Sequence, residues 1–346
     1  MRAADLVVPI VDVTGWSDGD AAARRAIAAA VDDACRSVGF MQIVGHGIPS
    51  DVIDGLTGAI DGFFALPIES KQTYRAPRPS INRGYTAPRS ERLSYSLGVV
   101  TPDDLFEAFN VGSSAADFPG LDLDEEIYAA NIWPTEPTGF EPAVTAWFSH
   151  AGGLARTMTS IFAHALGLEA GHFAPYTDHS IDVLRINHYD VPHGVHLEPS
   201  QLAMGAHTDY GIVTILWADE VPGLEILRPG GSWLPVQPSP GALLINLGDL
   251  LARWTNDRWL STMHRVVPPR DAAGNLTRRR SAAYFHDGNA DALISTLEPC
   301  RDPRGEHIYD DITVGEHLAQ KLGGSRGLEL NRHAAREAAR IGPVDA

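Results

Sequence analysis

Two cysteines, Cys35 and Cys300, are all that 346 residues hold. That is too few for a disulfide framework, so a reducing cytosol is the expected compartment. Long hydrophobic runs are missing too, and nothing approaches the length of a membrane span. The apolar stretch Leu6-Val7-Val8-Pro9-Ile10-Val11 is short, broken by Pro9 and followed by Asp12. It is read as a first strand rather than as a signal peptide. Basic residues are outnumbered, 27 Lys and Arg against 44 Asp and Glu, for a formal net charge of -17. That balance argues against nucleic acid and anionic membrane surfaces as partners. Internal repeats and low-complexity tracts are absent. A hydrophobic content of 44% over this length can bury a sizeable core, as one large domain or two.

The chain has two textures. In the N-terminal part, 18–38 reads as an Ala-rich helix capped by Ser17 or Asp18 and stopped by Gly39. Phe40 to Val44 reads as a strand, and a second helix runs from Pro49-Ser50-Asp51 to about Ala65, ending before Pro67. Residues 77–140 are rich in Pro, Gly, Ser and Asp and predict loops with short elements. From Glu141 to about Leu168, apolar residues recur at helical spacing and predict a long core-facing helix, irregular in its middle at Gly152-Gly153. From about Ile181 short apolar runs alternate with turn residues, at 181–189, 202–207, 212–217, 224–227, 233–236, 242–247, 262–267 and 281–286. Short strands at such spacing predict a barrel or jelly roll. Helices near 314–321 and 330–340 close the chain.

The chemistry is concentrated in His207-Thr208-Asp209 and in His264, within Ser261-Thr262-Met263-His264-Arg265-Val266. In an extended segment residues i and i+2 share a face, so His207 and Asp209 project together. A later strand carrying His264 completes two imidazoles and one carboxylate, the ligand set of non-haem Fe(II) oxygenases. Alone, an H-x-D pair in a chain with 14 histidines is also compatible with ordinary loop residues. Arg279 and Ser281 are again i and i+2; a guanidinium and a hydroxyl on one face suit a carboxylate, although the run Arg278-Arg279-Arg280 also fits an exposed basic strand.

Taken with their neighbours, these residues resemble the isopenicillin N synthase-like family of 2-oxoglutarate- and Fe(II)-dependent oxygenases. His207-Thr208-Asp209-Tyr210-Gly211 resembles the family's H-T-D segment, His264-Arg265-Val266 its distal histidine, and Arg279-Arg280-Ser281 its R-x-S. Asn187-His188-Tyr189 resembles its N-x-Y, and Asn246-Leu247-Gly248-Asp249 its strand-end N-x-G-D. In the N-terminal half, Ala34-Cys35 to Gly39-Phe40, His46-Gly47-Ile48 and Phe63-Phe64-Ala65-Leu66-Pro67 agree as well. The resemblance covers about residues 7–300.

It implies a mixed α and β, mainly β, fold with a double-stranded β-helix (jelly-roll) core flanked by helices. The implied division is an N-terminal helix and strand region over 1–120, a long helix plus jelly-roll core over 121–305, and a helical tail over 306–346. His207, Asp209 and His264 would hold Fe(II). Arg279 and Ser281 would bind the distal carboxylate of 2-oxoglutarate. Tyr189, with Asn187 beside it, would meet the other end of that co-substrate near the metal; a plain core tyrosine is the competing reading. Phe285 would line the substrate side. His188 points away from the Tyr189 face and is not counted as a ligand; Cys35 and His46 are packing residues. Arg83-Gly84-Tyr85 would sit in a loop over the site, where Arg83 either binds an acidic substrate or is merely solvated. The implied activity couples O2 and decarboxylation of 2-oxoglutarate to succinate and CO2 with oxidation of a C–H bond of a small metabolite, most often hydroxylation, in secondary metabolism by family habit. A 2-oxoglutarate-independent iron oxidase of the isopenicillin N synthase type and a binding-only module on the same scaffold stay open. Substrate identity and oligomeric state are not legible. Specificity is expected on 77–120, on 190–203 and in the C-terminal segment.

Overall fold

The computed structural model describes residues 7–191, 197–198, 200–228, 231–302, 308–326 and 329–331. The first elements are β1 (Ile10–Asp12), α1 (Gly15–Asp18), α2 (Ala21–Ser37), β2 (Phe40–Val44), α3 (Ser50–Phe64) and α4 (Ile68–Gln72). The helix expected over 18–38 is therefore split. Gly19 is extended, and Asp20 caps α2 by accepting from the amides of Ala22 and Ala23 at 2.8 Å each. At the other end Gly39, at φ 68°, turns the chain back so that its N–H reaches Ala34 O at 2.9 Å. The first strand begins at Ile10, later than the apolar run suggested, and pairs parallel to β2.

The loop-rich stretch contributes β3 (Gly84–Thr86) and β4 (Glu107–Gly112). The long helix α5 (Phe140–Ala165) is continuous through its two glycines. Gly152 is there for close approach: a Cβ on it would lie 2.7 Å from the Tyr284 hydroxyl. Val144, Trp147, Leu154, Met158 and Ile161 share one stripe of α5 and are buried.

The expected strand runs all appear: β5 (Val183–Tyr189), β6 (Met204–His207), β7 (Val213–Ala218), β8 (Leu224–Leu227), β9 (Trp233–Pro235), β10 (Leu243–Leu247), β11 (His264–Val266) and β12 (Arg279–His286). The sequence pattern did not reveal α6 (Asp249–Trp254), which follows β10 directly. Two sheets result, β1-β2-β10-β7-β12-β5-β4-β3 and β6-β11-β8-β9. They form the double-stranded β-helix. Helices α2, α3 and α5 cover the outer face of the large sheet, burying Phe63, Phe109, Phe140 and Trp147 between them. The short pair β13 (Leu293–Ile294) and β14 (Ile312–Thr313) leads into α7 (Val314–Ser325), capped by the reciprocal Thr313 and Glu316 box. The helix expected near 330–340 falls almost wholly outside the described residues. Among those residues no helix is long and apolar enough to cross a membrane.

The chain has only two lysines, Lys71 and Lys321, and both are buried in ion pairs. Lys71 Nζ meets Glu107 at 2.8 Å, and the same carboxylate accepts from the Tyr85 hydroxyl at 2.6 Å and from His188 Nδ1 at 3.1 Å. Burial alone would push the Glu107 carboxyl up, but these three donors outweigh it and hold it below the usual range. His188 stacks on Phe64 at 4.8 Å on the helix side of the sheet, so it is not a metal ligand.

Candidate active site

His207 ends β6 and His264 begins β11, and the two residues are direct cross-strand partners. Their rings lie 4.3 Å apart between centroids, with Phe40 edge-on to His264. Asp209 follows two residues after His207 and turns the same way: its Oδ1 is 3.8 Å from His207 Nε2 and 3.6 Å from His264 Nε2.

Hydrogen bonds assign the protons. His207 Nδ1 meets Gly205 O at 2.8 Å and His264 Nδ1 meets Thr262 O at 3.1 Å. A carbonyl only accepts, so each Nδ1 carries a hydrogen and each Nε2 is the ring nitrogen left to face the cluster. Burial, reinforced by His264, pushes His207 down to about 3, which keeps it neutral. Asp209 Oδ2 accepts from Thr214 Oγ1 at 2.5 Å and from Asn246 Nδ2 at 2.6 Å, leaving Oδ1 facing the imidazoles. Three possible ligand atoms thus converge, all on buried residues and all within 4.8 Å of one another. Such a cluster is repulsive unless a cation sits in it, and two imidazoles with one carboxylate suit Fe(II).

A cavity of about 490 Å³ opens from this cluster. Its wall on the large sheet is a set of cross-strand rows. Tyr189 pairs with Arg279; Asn187 with Ser281 and Ala218; Arg185 with Asn110 and Ala283; Val183 with Phe285, which in turn faces Thr214. The alternation that puts these side chains inward puts His188 and Phe109 outward. Arg279 is 2% exposed; its Nε donates weakly to Val221 O at 3.3 Å, its Nη1 has no partner, and its guanidinium lies 5.2 Å over the Tyr189 ring. An unsatisfied buried guanidinium beside the Ser281 hydroxyl is a receptor for a carboxylate. In the register Tyr189 stands beside Arg279, and Asn187 stands beside Ser281 one row further along β12.

Two further expectations change. Tyr85 is on the helix side of β3, bonded to Glu107 and packed on Phe63, and does not line the cavity. Strand alternation sends Tyr85 one way and its neighbours the other. Arg83 does line the cavity, but Nε, Nη1 and Nη2 donate to the carbonyls of Ala129, Asn82 and Ser113. It braces three loop segments instead of waiting for an acidic ligand, and burial lowers it to about 10.

Residues outside the candidate ligand set complete the site. Thr214 and Asn246 orient the metal-facing carboxylate. Asp249, from the N-x-G-D segment, accepts from Ser261 at 2.7 Å and Thr208 at 3.1 Å and pairs with Lys321 of α7 at 2.8 Å. Helix α7 lies along the cavity through Leu318 and Leu322, and Arg326 just beyond it meets Glu91 at 3.1 Å. Glu91 also receives Arg185 at 2.7 Å; although burial opposes ionisation, the two arginines hold its carboxyl below the usual range. Asp287, also in the wall, is pushed well up by burial and by the nearby Asp182 and Asp209. The spacing of the N-x-G-D residues was the only sequence signal for any of these.

Known proteins match this architecture. Residues 8–136 match the family described as non-haem dioxygenase in morphine synthesis, N-terminal, and residues 180–288 match the 2OG-Fe(II) oxygenase superfamily. The chain is 35% identical to the 2-oxoglutarate-Fe(II) type oxidoreductase hxnY of Emericella nidulans, over 88% of this chain and 86% of that protein. It is 32% identical to validamycin A dioxygenase of Streptomyces hygroscopicus subsp. limoneus, over 91% and 85%. Among solved structures, a full-length Neurospora crassa protein in complex with alpha-KG superposes with a TM-score of 0.81 at 30% identity, covering 93% of this chain and 98% of that one. The chain belongs to the 2OG-Fe(II) oxygenase superfamily and is a 2-oxoglutarate-dependent dioxygenase that uses Fe(II), 2-oxoglutarate and O2.

Proposed function

We propose that His207, Asp209 and His264 hold the Fe(II), that Arg279 and Ser281 take the distal carboxylate of 2-oxoglutarate, and that the protein hydroxylates a small secondary metabolite in the cytoplasm. The observation that carries this is that one cavity is lined both by the convergent His207, Asp209 and His264 and by a buried Arg279 whose Nη1 is unpartnered. A dicarboxylate with one end at the metal and the other at Arg279 satisfies both, which favours this reading over an oxidase that does without 2-oxoglutarate.

Bound Fe(II) supplies O2 activation, so that one oxygen atom goes to the substrate C–H bond and the other to succinate as CO2 leaves. The chain's own residues position and insulate. Thr214 and Asn246 fix the Asp209 oxygen that does not face the metal, and the two backbone carbonyls fix the imidazoles. Tyr189 supports the Arg279 guanidinium from below, and Asn187 lies on the co-substrate's path toward the metal. Leu216, Leu224 and Val266 wall the site and keep water from it. Phe285 offers a ring face on the substrate side.

Secondary metabolism is supported by relatives named validamycin A dioxygenase and proline hydroxylase buaE, the latter from Petromyces alliaceus at 33% identity. Two unbonded thiols, at Cys35 and Cys300, suit a reducing compartment. The test is an anaerobic Fe(II) and 2-oxoglutarate sample mixed with metabolite pools and then exposed to O2. A substrate gaining one oxygen atom with one succinate formed is expected; oxidation without succinate would contradict the proposal.

A further inference from the structure

Asn110 is the one polar side chain of the cavity wall, among the described residues, that is fully buried with both of its hydrogen-bonding atoms unpartnered. It is 0% exposed, and neither Oδ1 nor Nδ2 has a hydrogen-bond partner. Its backbone is committed to the ladders on both sides, against Gly84 and Arg185, so the side chain does not serve the sheet. It lines the cavity opposite Arg185, in the row next to Phe285. The other polar groups nearby are spoken for: Arg185 by Glu91 and Asn187, and Arg326 by Glu91 and Asn82. A buried amide left empty at both ends is costly, and native structures rarely keep one without a ligand or a bound water to complete it.

From this geometry we infer that the primary substrate presents an amide edge, a carbonyl adjacent to an N–H, as in a lactam, a cyclic imide or a primary carboxamide. Such an edge pairs with Asn110 head to tail: its carbonyl accepts from Nδ2 and its N–H donates to Oδ1. A carboxylate satisfies Nδ2 but sets its lone pairs against Oδ1. An ammonium satisfies Oδ1 alone. A hydrocarbon satisfies neither. Phe285, across the same wall, supplies a flat apolar surface for a planar group. Asn110 is thereby a specificity-determining residue, and the inference rests on the assignment of this cavity as the oxygenase site.

The test uses the full chain loaded with Fe(II) and 2-oxoglutarate under nitrogen, with binding followed by calorimetry. The probes are nicotinamide against nicotinate, and glutarimide against N-methylglutarimide. Each amide-edged probe is expected to bind at least about tenfold more tightly than its control, the worth of one buried hydrogen bond. Asn110→Leu should bring both ratios to near unity while the affinity for 2-oxoglutarate is unchanged. Asn110→Ser, which loses the amide but adds no bulk, should do the same and guards against a folding defect in the leucine variant. If 2-oxoglutarate binds normally but no amide probe outbinds its control, or the preference survives in both variants, the role of Asn110 is overturned and the oxygenase site stands. If the wild-type protein does not bind 2-oxoglutarate, the site assignment falls and this inference with it.

Discussion

Replacing Arg279 separates co-substrate binding from metal binding. The side chain is buried, its Nη1 has no protein partner, and Nε makes only a long contact to Val221 O. Most of its hydrogen-bonding capacity is thus reserved for a ligand. Arg279→Lys keeps the charge but loses the planar fork, so one charge-assisted hydrogen bond replaces two. That costs roughly 2 kcal/mol, or about thirtyfold in the dissociation constant of 2-oxoglutarate. Arg279→Met removes the cation and leaves a carboxylate buried without a partner, on the order of 3–5 kcal/mol, and binding should become unmeasurable. The assay is anaerobic titration of the Fe(II)-loaded protein with 2-oxoglutarate, with iron content and melting temperature measured alongside. Both variants should keep iron, because Arg279 is not one of the three metal-facing side chains. An Arg279→Lys protein that binds 2-oxoglutarate within about threefold of wild type would refute the assignment. So would parallel loss of iron.

Three other expectations follow from the geometry. Asn246→Ala and Thr214→Val each release Asp209 Oδ2, and should weaken Fe(II) binding by about 10–100-fold with the fold retained, measured by competition with a chelator. Gly152→Ala drives a methyl to within 2.7 Å of the Tyr284 hydroxyl, itself held by Asp182 at 2.6 Å; overpacking there should cost about 1–3 kcal/mol in denaturant unfolding. Glu107 and Glu91 both have carboxyls held below their ordinary value of 4.5 in the folded protein. Between the folded and unfolded values the unfolded chain binds more protons, so their contribution to stability is complete above pH 4.5 and is lost as pH falls through the folded values. Glu107→Gln should flatten that acid limb of the stability curve; an unchanged limb would show that the Lys71, Tyr85 and His188 contacts do not act through its charge.

Local patterns were legible and long-range pairings were not. The two-residue period of strands places His207 with Asp209 and Arg279 with Ser281 whatever the tertiary structure, because facing is a property of the extended backbone. The same period failed at Tyr85, where a Pro- and Gly-rich composition concealed the short strand that turns it toward Phe63. That Tyr189 pairs with Arg279 across β5 and β12 is a long-range fact that the order of motifs does not encode. The break between α1 and α2 was hidden by several competing cap residues, Ser17, Asp18 and Asp20, of which only the last binds helix amides. Buried charges were the least visible. Nothing near Glu107 or Asp249 in sequence announces Lys71 or Lys321 as partners; those pairs form only when helices from distant parts of the chain pack against the sheets. The N-x-G-D segment stands out as a pattern, but what it does, orienting Asp209 through Asn246 and anchoring α7 through Asp249, is set by tertiary contacts that the pattern does not encode.

The most direct measurement is iron content after anaerobic reconstitution, paired with 2-oxoglutarate-dependent succinate formation, for the wild type and for His207→Ala and His264→Ala. Each imidazole is one of the three groups proposed to hold the iron, and its Nδ1 is engaged by a backbone carbonyl so that its Nε2 faces the cluster. One iron per wild-type chain is expected, with loss of both iron and succinate formation in the variants and melting curves that still show a folded protein. Full iron occupancy and normal succinate formation in either variant would contradict the ligand assignment.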